Sequence, residues 1–177
     1  MKDVNIRQES QQDHPGVFAL IERAFRDEEH TDHREQYLVE RIRYSEASVP
    51  ALSLVAERDN ELVGHILLSK IGIQDQDQIH ESLALAPVSV SSYYRKQGIG
   101  GALIRRAHQV AAQLGFTSVV LLGHADYYPR FGYRQASHFG ISLPFDVPDE
   151  NCLAKELKKD GLKGVSGMVV YPEAFFA

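Results

Sequence analysis

Between Leu85 and Leu114 the chain runs from an apolar strand, ending near Val90, through a basic glycine turn into an amphipathic helix. Ile99, Leu103, Ala107, Val110, Ala111 and Leu114 recur at helical spacing, so one face of that helix is apolar and has to be covered. The turn before it reads Arg95-Lys96-Gln97-Gly98-Ile99-Gly100-Gly101. Backbone N–H groups at a helix start have no intrahelical partner, and the helix dipole adds partial positive charge there. Glycine lets an anion approach that backbone closely, and Arg95 and Lys96 add formal charge. A strand, turn and helix of this kind form a place to hold phosphates.

Three phosphate-binding patterns compete for the turn. A P-loop needs Gly-Lys-Ser/Thr, which does not occur in the chain, so nucleotide hydrolysis is not indicated. A dinucleotide turn needs a third glycine where Leu103 stands and an acid closing the next strand, which Ser118 to Leu122 lacks. The third pattern is R-x-x-G-x-G directly after a strand, matched by Arg95, Gly98 and Gly100. With it the chain resembles the GNAT superfamily of acetyl-CoA-dependent N-acyltransferases, small bacterial members in particular. Ala86-Pro87-Val88-Ser89-Val90 looks like that family's strand beside the pantetheine arm of coenzyme A, and Tyr127-Tyr128-Pro129-Arg130-Phe131-Gly132-Tyr133 resembles its Y-x-x-F-G-F/Y segment. The two motifs cover the middle third of the chain, and the order of elements extends the likeness to nearly all of it.

Composition bounds the alternatives. A length of 177 residues with 44% hydrophobic content suits one domain, 1–177, with a real core. The net charge of −5 disfavours nucleic acid as a partner. No apolar run reaches the length of a membrane span, and the N-terminus lacks the apolar core of a signal peptide. The one cysteine, Cys152, forms no disulfide framework, fits a reducing cytoplasm and reads as a small packed residue. His30, Asp32 and His33 lack further ligands nearby and read as surface residues, so no metal is expected.

In chain order, Val4 to Arg7 alternates like a first strand. Asp13 is placed to cap a helix with Pro15 in its first turn and Val17, Leu20, Ile21, Ala24 and Phe25 on its inner face. The acidic Asp27-Glu28-Glu29-His30 separates it from a second helix, about Asp32 to Arg43, where Asp32 and Glu35 are spaced like a capping box. That acidic loop reads either as a solvated connection or, by the resemblance, as a lure for a cationic amine. A hairpin follows, Leu52 to Glu57 and Leu62 to Ile73 around Asp59-Asn60, then a polar turn and a strand from Glu81 to Val90. Pro87 cannot donate to a ladder, so it marks an edge or bulge whose freed backbone groups can bond a pantetheine arm like an added strand. Beyond the central helix, Gly115 reads as a stop and Thr117 to Leu122 as a buried strand. Cys152 to Leu157 and Met168 to Tyr171 read as the last strands, the final one largely exposed and able to pair across a homodimer.

The chemistry of such an acyl transfer sets its own needs. An amine attacking a thioester requires a neutral nitrogen, donors for the oxyanion and help for the departing sulfur. A thiol titrates at ~8.5 and a phenol at ~10, so a tyrosine can assist the thiolate. The resemblance assigns that general acid to Tyr128, with Tyr127 the alternative, since neighbours on a helical turn point about 100° apart. It implies an oxyanion donor among the backbone N–H groups of Val88 to Val90. For a base, Glu28, Glu29, Glu81, His65 and His124 stay open, as does a water chain.

The fold expected is therefore a single GNAT-like α/β domain, a mixed, mostly antiparallel, twisted sheet flanked by helices on both faces. The function expected is transfer of an acetyl group from acetyl-CoA, as co-substrate, directly to an amine. Val88, Ser89, Val90, Arg95, Lys96, Gln97, Gly98, Ile99, Gly100 and Gly101 would bind it. The alternative is an acyl-CoA-binding sensor without efficient catalysis, which would have no use for Tyr128.

Overall fold

A computed structural model describes residues 3–176, so the outer ends of the expected 1–177 domain lie outside the described residues. Alternating apolar residues and turn-forming pairs produce the first four strands. β1 (Asn5–Gln8) pairs antiparallel with β2 (Ser53–Arg58), and β2 with β3 (Glu61–Asp75). Asp59 and Asn60 join β2 to β3 with φ of +52° and +64°, the left-handed conformation that a two-residue hairpin turn requires. β3 returns through Gln76 into β4 (Gln78–Val90), again antiparallel.

The sheet continues β1-β2-β3-β4-β5-β8-β6, with β5 (Ser118–Leu122), β6 (Arg134–Gln135) and β8 (Cys152–Glu156). β7 (Ile141–Ser142) and β9 (Gly167–Val170) complete it. Among the described residues only β4–β5 and β7–β9 are parallel, so the sheet is mixed and mostly antiparallel. β9 corrects one expectation. It is not an outer strand: it lies between β7 and the far half of β3, pairing Val170, Val169 and Met168 with Gly72, Ile73 and Gln74 on one side and Gly167 and Met168 with Ile141 and Ser142 on the other.

Helices cover both faces. α3 (Ile99–Gln113) buries Ile99, Leu103, Ile104, Ala107 and Ala111 against Leu54, Ile66, Leu68 and Leu85. Each fully buried Leu or Ile of this kind stabilises by roughly 1.5–3 kcal/mol. On the other face, α1 (His14–Phe25) and α2 (Glu35–Arg43) pack Val17, Ile21, Val39 and Ile42 on Val55 and Leu67.

Two expected caps are otherwise employed. Asp13 stands before α1, but its carboxylate accepts from Arg7 Nη1 at 2.7 Å and from the Ser10 N–H at 2.7 Å, because a charged partner on β1 outcompetes the helix amides. Asp32 accepts from the Arg34 N–H at 2.9 Å, two residues on, so the second helix starts at Glu35 and no capping box forms with it.

Candidate active site

The site follows from one interruption in the sheet. β4 and β5 pair only at Leu83–Val119 and Ala84–Val120. β4 then runs on to Val90, bonded to β3 on one side, while β5 runs on to Leu122, bonded to β8. Ala86 and Pro87 stand together opposite the single residue Leu67, a bulge that turns β4 away from β5. From Leu85 onward the β5-facing edge of β4 therefore has no strand partner among the described residues. Pro87 thus marks both a bulge and an edge.

Just past Val90 the chain enters the glycine turn. Gly98 adopts φ +83° as the residue preceding α3, with nothing within 4 Å of where a β-carbon would stand. No acid occupies the first turn of α3, and the first intrahelical N–H is that of Ala102, bonded to the Gly98 carbonyl at 3.0 Å. The N–H groups of Ile99, Gly100 and Gly101 thus face outward unpaired by the helix. They open into a cleft of about 550 Å³, bordered by Val90, Arg95, Lys96, Arg105, Tyr127 and Arg130. Four cationic side chains around free amides suit a polyanion such as the pyrophosphate of coenzyme A.

Residues 16–133 match the acetyltransferase (GNAT) family. The chain belongs to that family. It is 31% identical over 171 residues to the N-acetyltransferase YhbS of Escherichia coli, covering 96% of this chain and 97% of that one. It is 37% identical to the N-acetyltransferase YjhQ of the same organism, over 67% of this chain and 66% of the relative. The crystal structure of Escherichia coli YhbS in complex with CoA superposes with a TM-score of 0.88 at 28% identity, covering 98% of this chain and 92% of that one. A GNAT acetyltransferase from Brucella melitensis in complex with acetyl-CoA gives 0.81 at 30% identity, covering 99% of both chains. This chain is thus an acyltransferase of the GNAT family.

Of the acetyltransferase residues read from sequence, Val90, Arg95, Lys96, Gly98, Ile99, Gly100 and Gly101 line the basic cleft. Gln97 does not: its side chain accepts from Arg58 at 3.2 Å. The Arg95 guanidinium donates to the Ala24 carbonyl at 2.7 Å, tying the turn to the end of α1. Val88 packs toward the α3 core, while Ser89 is buried with an unpartnered hydroxyl, opposite His65 on β3. Arg105 and Arg130 were missed. Arg105 lies four residues beyond Gly101, the spacing that returns a helical side chain to the same face, and its guanidinium stacks 4.9 Å from the Phe131 ring. Arg130 stacks 4.6 Å from that of Tyr127.

The two tyrosines separate. Tyr127 borders the basic cleft, its hydroxyl 3.6 Å from where a β-carbon on Gly100 would lie. Tyr128 is buried in the α3-side core, edge-on to Tyr127 and Tyr133. Its hydroxyl has no hydrogen-bond partner among the described residues and is not fully enclosed. Burial, with a smaller contribution from the Tyr127 phenol, pushes it up to about 12.

The base candidates are scattered. Glu28 and Glu29 are exposed beyond α1, Glu28 lying 3.7 Å from Arg95. Glu81 is exposed at the far half of β4, opposite Gly72. His65 is fully buried on the α1/α2 face, 3.0 Å from the Ser53 hydroxyl, and burial lowers it to about 4. His124 alone stands near the gap, two residues past β5, its carbonyl accepting from the N–H groups of Tyr127 and Tyr128. Glu35, read only as a capping residue, was missed: one carboxylate oxygen is enclosed with no partner among the described residues, and burial raises the group.

Proposed function

We propose that this acetyltransferase transfers the acetyl group directly to an amine, with the unpaired edge of β4 as the platform. The end of β4–β5 pairing at Ala84 carries this reading. An amide-bearing pantetheine arm can add to that edge as a strand would, leaving a thioester beside the backbone N–H groups of Val88 to Val90. The outward N–H groups of Ile99, Gly100 and Gly101 hold the pyrophosphate, with Lys96 and Arg105 supplying charge. Bound acetyl-CoA supplies the activated acetyl group, and the chain's residues position it and stabilise the charge that develops.

Tyr128 is the donor to the departing sulfur in this reading. Its motif position and unpartnered hydroxyl support the role. A phenol held up to about 12 keeps its proton throughout the working range. Complete transfer to a thiolate of pKa ~8.5 runs uphill, so Tyr128 acts by donating a hydrogen bond that strengthens as negative charge gathers on sulfur.

Calorimetric titration of acetyl-CoA into the protein and into Gly98→Glu tests the platform. The reading expects binding to the first and at least tenfold weaker binding to the second, since a carboxylate then faces the phosphates at close range. Absence of binding to the unaltered protein would falsify it. Release of thiol on adding amines then separates a transferase from a sensor.

A further inference from the structure

The β4–β5 gap opens into a second cleft, of about 260 Å³, beside α2. Ala86 and Leu122 mark the diverging strands at its mouth, and Leu38 of α2 closes one side. Beside aliphatic side chains of β4 and β5, one wall is aromatic: Phe145, Tyr171, Phe175 and Phe176. These rings form one group about Tyr171, with centroids 5.2 Å to Phe145, 5.0 Å to Phe175 and 6.3 Å to Phe176. Phe176 is 61% exposed and Phe145 39%, so the group presents ring surface outward instead of consuming it in the core.

What is missing from the lining matters as much. Every described side chain bordering this cleft is aliphatic or aromatic, and no Asp, Glu, Lys, Arg or His is among them. The basic cleft beside α3 has the opposite character, with Arg95, Lys96, Arg105 and Arg130 at its border. The two clefts approach the same strand divergence, one suited to a polyanion and the other to an apolar body.

We infer that the acceptor is a small monoamine with an aromatic or bulky aliphatic body, seated on the Phe145–Phe176 wall with its nitrogen toward Ala86. This rests on the acetyltransferase reading and names the substrate class of the same site. The volume lies below the roughly 300–1,000 Å³ of pockets that take drug-sized ligands, which favours a body of one ring over an extended chain. A polyamine would bring a second ammonium against a lining whose described side chains include no carboxylate, and that charge would lose hydration without compensation. An aromatic body instead trades water for ring contacts. In the transfer, the neutral amine's nitrogen forms the C–N bond as the C–S bond breaks. The bonding pair leaves with sulfur, nitrogen gives up one proton to water and sulfur takes one, leaving an amide and a free thiol.

The test compares phenethylamine, spermidine and an unblocked lysine-containing peptide as acceptors in a thiol-release assay at saturating acetyl-CoA. The inference expects kcat/KM for phenethylamine at least about tenfold above either of the others. Phe176→Ala, at an exposed position the fold does not depend on, should raise the KM for phenethylamine about fivefold while the calorimetric Kd for acetyl-CoA stays the same. Preference for spermidine or the peptide overturns the inference. So does a Phe176→Ala variant with unchanged KM, or acetyl-CoA binding without phenethylamine turnover. Failure to bind acetyl-CoA at all instead removes the acetyltransferase reading beneath it.

Discussion

The ring edge of Tyr128 lies directly against Gly123, so that a β-carbon at Gly123 would overlap Cε2 and Cδ2 of the ring. Gly123 directly follows β5, and its N–H donates to the Asn151 carbonyl at 3.0 Å while its carbonyl accepts from the Asn151 side chain at 3.0 Å. The glycine is held on both sides and cannot retreat. A methyl group there has to move the phenol. Gly123→Ala is expected to lower kcat by about 10–100-fold, the cost of displacing a positioned group by an ångström or so. The Kd for acetyl-CoA should change little, and calorimetry beside steady-state kinetics separates the two effects.

The two neighbouring phenols should respond differently to loss of their hydroxyls. Tyr128→Phe is expected to reduce kcat by about 10–100-fold with acetyl-CoA binding intact. Tyr127→Phe, altering the border of the basic cleft, should weaken acetyl-CoA binding by about two- to fivefold and leave kcat nearly unchanged. Because Tyr128 is pushed up to about 12, its ionisation should produce no fall in kcat between pH 9 and about pH 11. Equal kcat for Tyr128→Phe and the unaltered protein would remove Tyr128 from the reaction.

Two buried histidines make stability depend on pH. His65 and His108 are each lowered to about 4 chiefly by burial, Arg43 adding to the effect at His65 against Glu9, and Lys155 adding at His108. An unfolded histidine titrates near ~6.5, so between that pH and about 4 the unfolded chain takes up protons that the folded chain refuses. Stability is complete above about pH 6.5 and falls as the pH drops, by about 2 kcal/mol per histidine at pH 5. Urea titrations at pH 7.5 and 5 should show this loss. His108→Gln, which can still reach the Tyr133 hydroxyl 2.7 Å from Nε2, should remove roughly half of it. An unchanged difference between the two pH values would show that His108 is not the source.

Glu35 supplies a stability effect of the opposite sign. Burial raises its carboxyl, and the nearby Asp32 charge pushes in the same direction. A raised acid disfavours the folded chain wherever it must ionise. Glu35→Gln should therefore raise Tm at pH 7 and have no such effect below about pH 3, where the carboxyl is neutral in folded and unfolded chains alike. Thermal melts at the two pH values check the sign. A lower Tm for the variant at pH 7 would mean that the carboxylate has a favourable partner in solution.

Local patterns accounted for much of the architecture and part of the site. Alternation and turn residues marked the β2–β3 hairpin, the 3.6-residue period marked α1 and α3, and Pro87 marked the bulge where β4 departs from β5. Other features were less legible. Asp13 looked like a helix cap because its spacing allowed one, but Arg7 reaches it from a neighbouring strand. The last strand looked exposed because Met168 and Val170 point outward, yet its backbone pairs with β3 from Met168 to Val170 and with β7 at Gly167 and Met168. Motif position favoured Tyr128 over Tyr127, but that Tyr128 packs into the core near Phe131 and Tyr133 while Tyr127 borders the basic cleft was not legible in sequence.

The sequence by itself determined the strand–turn–helix that presents free amides, because backbone geometry at Gly98 and the period of α3 act over a few residues. It also determined the motif pair that identifies an acetyltransferase. Only the tertiary structure decided where the side chains of that turn go. Arg95 meets Ala24 of α1, and Arg105 and Arg130, from separate elements, both border the basic cleft. The aromatic wall was likewise invisible along the chain, since Phe145 and Tyr171 are joined by long-range packing. Contacts of that range depend on how strands and loops far apart in sequence are brought together, and no local spacing encodes which side chain then receives which partner.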